Sequence, residues 1–154
     1  MMEEMFMKEA LKEAELAFSD DEVPVGAVIL RDGEIVGRGR NGRETLKDPT
    51  CHAEIMAIRD AAARLGGWRL HQCEMYVTME PCPMCAGAIL QARIKKLYIG
   101  AMDPKGGACG SLLNLVQDQR FNHYVEMETG ILESECRTIV RKFFNNLREK
   151  RGRK

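Results

Sequence analysis

Cys82 and Cys85, within Met79 to Leu90 (MEPCPMCAGAIL), are the first residues whose type and spacing could do chemistry. Three apart at the front of a helical pattern, their sulfurs share one face of the first turn. A helix N-terminus favours negative charge and lowers thiol pKa, which suits a zinc site and a redox dithiol equally well. Alone, the pair leaves both readings open. Cys51-His52-Ala53-Glu54 breaks the tie. One histidine and two cysteines form the ligand set of a catalytic zinc, with the fourth position left for water. Glu54, two residues from the histidine at a helix end, is placed to reach that water. Zinc lowers the pKa of bound water from ~15.7 to about 7, which is ~12 kcal/mol of differential stabilisation of hydroxide. A carboxylate that takes the released proton and delivers it to a ring nitrogen and a leaving amine carries out hydrolytic deamination of an aromatic C–NH2.

These residues need elements to hold them. Met7, Ala10, Leu11, Ala14, Ala17 and Phe18 repeat at helical spacing, so an amphipathic helix is expected over about 3–18. Residues 23–30 are a nearly continuous apolar run, a buried strand, and Arg31-Asp32-Gly33 turns it into a returning hairpin strand over 34–40. Asn41-Gly42 ends that strand, and a polar loop follows to Pro49. A helix over 52–65 is closed by Gly66-Gly67. Further strands are expected over 75–79 and 96–100, with a helix from Pro83, well suited to a first turn, to about 92. A glycine loop at 106–110, a short helix near 111–118, a fifth strand near 123–128 and a basic C-terminal helix over about 132–154 complete the chain. That order predicts one α/β domain over 1–154 with a five-stranded mixed sheet and helices on both faces.

At 154 residues the chain suits one domain with a full core. No apolar run approaches the ~20 residues that span a bilayer, so no membrane partner is expected. Met1-Met2-Glu3-Glu4 is acidic where a secretory signal is basic, and no export segment is visible. The expectation is therefore a cytoplasmic protein whose six cysteines are reduced thiols. Zero net charge hides a polarity: the first 22 residues carry eight acids against two lysines, whereas from Arg137 onward there are eight basic residues and one acid. Such a basic end is either a solvated face or a phosphate attachment point.

His-x-Glu, 26 intervening residues and Pro-Cys-x-x-Cys form a far more specific pattern than either half, and it is the signature of zinc nucleobase deaminases. Over nearly its whole length the sequence resembles the bacterial tRNA-specific adenosine deaminases of the cytidine deaminase superfamily. The resemblance rests on segments 22–28, Arg40-Asn41, 51–56, 76–87, 100–107, 110–112, Asn122-His123 and Phe143-Phe144. It implies the cytidine-deaminase-like three-layer α/β/α fold. It also implies one zinc per chain on His52, Cys82 and Cys85, with Glu54 as proton shuttle and the Ala53 N–H orienting the water. Asn41 would hydrogen-bond the flipped-out base, and Val23-Pro24-Val25 would form a pocket wall. Asp103 and Lys105 would lie near the flanking nucleotides, with Phe144 close to the RNA. The implied partners are a tRNA anticodon stem-loop, whose wobble adenosine becomes inosine, and a second copy of the chain in a homodimer. An anticodon base is already unpaired, which cuts the cost of extracting it. With that substrate in view, phosphate contact is the favoured reading for the basic end, namely Arg148, Lys150 and Arg151 with Arg153 and Lys154.

Two positions depart from the family pattern. Cys51 replaces the usual alanine before the histidine, and Pro83 replaces a hydrophobic residue after Glu-Pro-Cys. His71 and His123 read as surface or structural, and Cys73, Cys109 and Cys136 as ordinary thiols, with Cys73 and Cys136 in or near the core. Gly106 to Gly110 reads as a flexible loop rather than a phosphate cradle. Three rival functions share parts of the pattern. A deaminase of free guanine, cytosine or a nucleoside keeps every zinc-site residue. A thiol–disulfide oxidoreductase leaves His52 and Glu54 unexplained. A structural-zinc binding module needs Cys51 or Cys109 as a fourth ligand.

Overall fold

The computed structural model describes residues 2–152. Arg153 and Lys154, counted above in the basic end, lie outside the described residues. In chain order the elements are α1 (Met2–Ser19), β1 (Gly26–Arg31), β2 (Glu34–Arg40), α2 (Arg43–Leu46), α3 (Ala53–Leu65), β3 (Cys73–Met79), α4 (Pro83–Gln91), β4 (Lys96–Ala101), β5 (Glu126–Thr129) and α5 (Glu133–Gly152). The strands form one five-stranded sheet in the order β2-β1-β3-β4-β5. β1 pairs antiparallel with both β2 and β3, while β3, β4 and β5 run parallel. This is the mixed sheet the sequence predicted. No helix among the described residues is long and apolar enough to cross a membrane.

Alternation along the strands builds two cores. Ala27, Ile29, Met75, Val77, Leu97 and Ile99 face one side, where they meet Ala53, Ala57 and Ala61 of α3 and Ala86, Ile89 and Leu90 of α4. Val28, Leu30, Tyr76 and Tyr98 face the other, against Phe6, Met7 and Ala10 of α1 and Cys136 of α5. Three layers result. Cys73 and Cys136 are buried in the core, as expected.

The seam between α3 and β2 is unusually close. A Cβ on Gly39 would strike the Ala53 carbonyl and the Ala57 N–H, and one on Gly37 would strike Ala57 and Ala61. Glycine on the strand and alanine on the helix thus let two backbones touch. β2 is an edge strand, and Asp60 of α3 caps one of its N–H groups, with Arg38 N donating to Asp60 Oδ2 at 2.9 Å.

Four expectations need correction. The helix near 111–118 is absent: Cys109 and Asn114 form an isolated bridge, and Leu112 and Leu113 are exposed. The N–H groups of Cys109 and Ser111 bond to the Glu80 carboxylate instead of starting a helix. β1 begins at Gly26 rather than 23, because Val25 N turns back to Val23 O and Asn41 N bonds Val25 O. β5 begins at Glu126, because the His123 ring and Val125 N bond Ile94 O and Val116 O outside the ladder. The expected polar loop after Gly42 contains the single turn α2.

Replacing Gly39 by alanine drives a methyl group into the α3 backbone. The expected cost is at or above ~3 kcal/mol, a fall in melting temperature of roughly 6–12 °C for a chain of this size. A wild-type melting curve for Gly39→Ala would show that the seam is not tight.

Candidate metal centre and active site

Both ligand-bearing segments end in the same way. His52 is extended (φ −79°, ψ 158°) immediately before α3, and Cys82 is extended (φ −73°, ψ 174°) immediately before α4. Pro83 occupies the first turn of α4, where its missing N–H costs nothing and its fixed φ favours the helix. Cys85 follows in the same turn and is fully buried. Two helix starts therefore meet, each contributing N–H groups without an intrahelical partner and a positive dipole end.

His52 Nδ1 lies 3.6 Å from Cys82 Sγ and 3.5 Å from Cys85 Sγ. A tetrahedral zinc with Zn–S near ~2.3 Å and Zn–N near ~2.05 Å separates its ligand atoms by ~3.6 Å. The ligands thus stand at the separation the metal requires. Among the described residues only His52, Cys82 and Cys85 form such a group, with ligand atoms within 4.8 Å of one another. Neither Cys51 nor Cys109 supplies a fourth ligand, so the centre is open on one side. Cys51 is buried beside Asp48, and burial followed by that carboxylate pushes its thiol up. The Cys82 thiol is held at about 5, chiefly by the hydrogen bond it accepts from Cys85, against the effect of burial. The Cys85 N–H, His52 and the Met84 N–H assist. Cys85, the donor in that pair, is pushed up. A metal held here would be bound by His52 and by Cys82 and Cys85 as thiolates, with loss of the proton the two sulfurs share.

A cleft of about 340 Å³ opens onto the centre. Of the sequence-predicted site residues, Val23, Asn41, His52, Ala53, Glu54, Cys82, Asp103 and Phe144 line it. Pro24 is buried behind the wall made by Val23 and Val25. Lys105 is exposed and does not line the cleft. Arg148, Lys150 and Arg151 are exposed on the last turns of α5, away from the lining, and Lys150 pairs with Asp21 at 3.6 Å. Arg43, Met79, Glu80 and Val140 complete the cleft, and the sequence reading assigned them no role. A larger cleft of about 680 Å³ lies beyond Asn41, but it contains no metal-ligand group. Its arginines are largely matched by acids: Arg38 with Glu9 at 2.6 Å and Glu13 at 3.3 Å, and Arg40 with Asp20 at 3.3 Å.

Glu54 lies one residue inside α3 and is 4% exposed. Burial, opposed by a backbone hydrogen bond and reinforced by the Cys82 charge, pushes its carboxyl up to about 7. Asn41 is clamped: its Nδ2 donates to Val23 O at 3.2 Å and its Oδ1 accepts from Arg43 N at 3.3 Å. Glu22, 1% exposed, accepts from Glu44 N at 3.1 Å and Thr45 N at 2.6 Å and so fixes the segment that carries Asn41 and Arg43.

The model of the cytidine and deoxycytidylate deaminase zinc-binding region matches residues 1–101. The chain belongs to this deaminase family. Within it, the chain is 50% identical over 149 residues to the tRNA-specific adenosine deaminase of Bacillus subtilis, covering 97% of this chain and 92% of that one. A structure from a study of A-to-I editing by tRNA:A34 deaminases at the wobble position is 47% identical. It covers 88% of this chain and 98% of its own, with a TM-score of 0.84. A Bacillus subtilis guanine deaminase structure is 44% identical but covers only 64% of each chain, at a TM-score of 0.62. The family is one of zinc-binding enzymes, and its fold and metal chemistry agree with the arrangement described here.

Glu22 supplies a pH test. Burial raises its pKa, but the hydrogen bonds from Thr45 and Glu44 outweigh burial and hold the carboxyl below its usual value. A depressed folded pKa contributes stability that is present above the unfolded value, about 4.3, and lost as pH falls through the folded one. The unfolding free-energy difference between wild type and Glu22→Gln should shrink steadily on acidification below about pH 5. A difference that stays constant down to pH 3 would remove Glu22 from this linkage.

Proposed function

We propose that this chain deaminates the wobble adenosine of a tRNA anticodon loop to inosine, consuming one water and releasing one ammonia. The observation that carries the reading is an open three-ligand centre beside a buried glutamate. It stands in a chain half identical, over nearly all its length, to a tRNA-specific adenosine deaminase.

Zinc held by His52, Cys82 and Cys85 would supply a water acidified toward neutrality. Glu54 would take one proton from that water as it adds to C6 and pass it to the adjacent ring nitrogen, then take the second proton from the added hydroxyl and pass it to the amine, so that the C6–N bond breaks and ammonia leaves. Its carboxyl, pushed up to about 7, suits a group that must both accept and donate near neutral pH. The clamped amide of Asn41 holds the edge of the base, and the Ala53 N–H at the helix start orients the water. Val23 and Val25 wall the base from one side and Val140 and Phe144 of α5 from another. Asp103 and Lys105 sit on the loop beside the flanking nucleotides. Arg148, Lys150 and Arg151 add a non-specific phosphate attraction that salt weakens.

An unpaired anticodon nucleotide differs from a free base by the phosphates on either side of it. Arg43 lines the cleft, and among the described residues its charge acts on Glu22 without a close ion pair. It is suited to one of those phosphates. The reading includes a homodimer, supported by exposed Met84 on α4 and exposed Leu112 and Leu113 on the loop tied to its start. It also includes the cytoplasm, where tRNA is the available substrate.

The deciding experiment incubates the zinc-loaded protein with an anticodon stem-loop and, separately, with free guanine, cytosine and adenosine. Inosine should form in the stem-loop, and Glu54→Ala should keep its zinc and fold while losing turnover by about 10²-fold or more. Turnover of guanine without the stem-loop would replace this substrate with a free base. Replacing Arg43 by alanine should weaken stem-loop binding and reduce the slope of log K against log salt by about 0.7, the value for one single-strand phosphate contact. An unchanged slope would leave Arg43 outside the RNA site.

A further inference from the structure

Glu80 lies at the end of β3, two residues before Cys82, and is 5% exposed. Its carboxylate accepts from Asp103 N at 2.8 Å, from Cys109 N and Ser111 N at 3.0 Å each, and from Ser111 Oγ. Four donors fill the four acceptor positions of a carboxylate, leaving no capacity to take a proton from substrate or water. Gly107 completes the enclosure, since a Cβ there would overlap the carboxylate itself. The backbone reinforces it: Glu80 N bonds Ala101 O and Ala108 N bonds Pro81 O, both at 2.8 Å.

The wrapped loop is the one that carries Asp103 into the cleft. It has no regular secondary structure from Met102 to Leu113 beyond turns and one isolated bridge residue. Asp103 in turn accepts from Lys105 N at 3.1 Å and Gly106 N at 3.3 Å, so its side chain fixes the next turn. One saturated carboxylate therefore ties this loop to the segment that begins the zinc-bearing helix. Loss of its charge would free the loop while leaving His52, Cys82 and Cys85 in place.

We propose that Glu80 is a positioning residue for substrate recognition: it holds the 103–111 loop in register with the metal centre and so sets affinity for the nucleotides flanking the reacting base. Its target, an RNA strand, rests on the function proposed above. Glu80 does not touch the reacting atoms, and it acts through Asp103.

The test uses the zinc-loaded full chain and Glu80→Gln, which keeps the shape but turns an NH2 group toward N–H donors. Amide exchange, measured without substrate, should accelerate about tenfold or more at Asp103, Cys109 and Ser111 as charge-assisted bonds are lost. Zinc should stay at one equivalent per chain. With the anticodon stem-loop, KM should rise about tenfold while kcat stays within about threefold. Adding Asp103→Ala to Glu80→Gln should change KM no further than Asp103→Ala alone. Should Glu80→Gln fail to fold, Ser111→Ala removes a single bond and should shift exchange and KM in the same direction by less. Unchanged exchange at the three amides would overturn the clamp. Faster exchange with unchanged KM, a fall confined to kcat, or loss of zinc would overturn the positioning role. A wild-type protein inert toward the stem-loop would overturn the proposed substrate instead, and the exchange result would still decide the clamp.

Discussion

A metal held by two helix starts tolerates little error, because its ligand atoms must stand ~3.6 Å apart while each rides on a separate element. The contact between α3 and β2 carries this constraint. Gly37 and Gly39 bring the strand backbone against Ala53, Ala57 and Ala61, so α3 can neither slide nor lift without opening the seam. His52 immediately precedes that helix and inherits its position. Cys82 and Cys85 are placed from the other side, by β3 in the centre of the sheet and by the proline start of α4. Interior packing is dense and resists small displacements, so a close seam is an effective ruler.

Glu54 and Glu80 line the cleft, Glu22 holds the segment that carries Asn41 and Arg43, and the environments of these three buried glutamates separate them. Glu22 accepts two backbone N–H groups and Glu80 four donors, and in both cases these bonds outweigh burial and keep the carboxyl ionised. Glu54 sits beside the thiols with little to offset its desolvation, and its carboxyl moves up instead. One residue type thus yields two fixed anions that organise loops and one group able to exchange a proton near neutrality. Hydrogen-bond donors make the difference, because bonds to the charged form favour it over the neutral acid.

The sequence disclosed the parts of this arrangement that depend on local spacing. Alternation and helical periodicity located the sheet and four long helices to within a few residues, and His-x-Glu with Pro-Cys-x-x-Cys located the ligands. Roles that depend on distant partners were not legible. The stretch near 111–118 reads as a short helix, with Leu112, Leu113, Leu115 and Val116 at helical spacing. The N–H groups at and before its start, however, are claimed by a carboxylate some thirty positions away in sequence. Glu80 itself left one trace, an acid set between an apolar strand and Pro-Cys, and spacing alone gives it no partner. Arg43 and Val140 left none, since arginine in a polar loop and valine on a helix are ordinary surface and core choices.

Helix α5 contributes to the same cleft through Val140 and Phe144. α5 packs along the sheet where Cys136 fits against Gly100, whose missing Cβ makes room for the sulfur. Farther along, Phe143 meets Phe18 of α1 edge to face at 5.7 Å, which pins the turn that presents Val140 and Phe144 to the cleft. Phe144 remains 39% exposed there, an aromatic face at the mouth of a polar site. Exposure of this kind is costly for a core residue and useful for one that stacks on a base. The wall over the metal centre is therefore supplied by the helix that ends in the basic segment. Movement of α5 would change the shape of the cleft and the position of the helix's positive charges together.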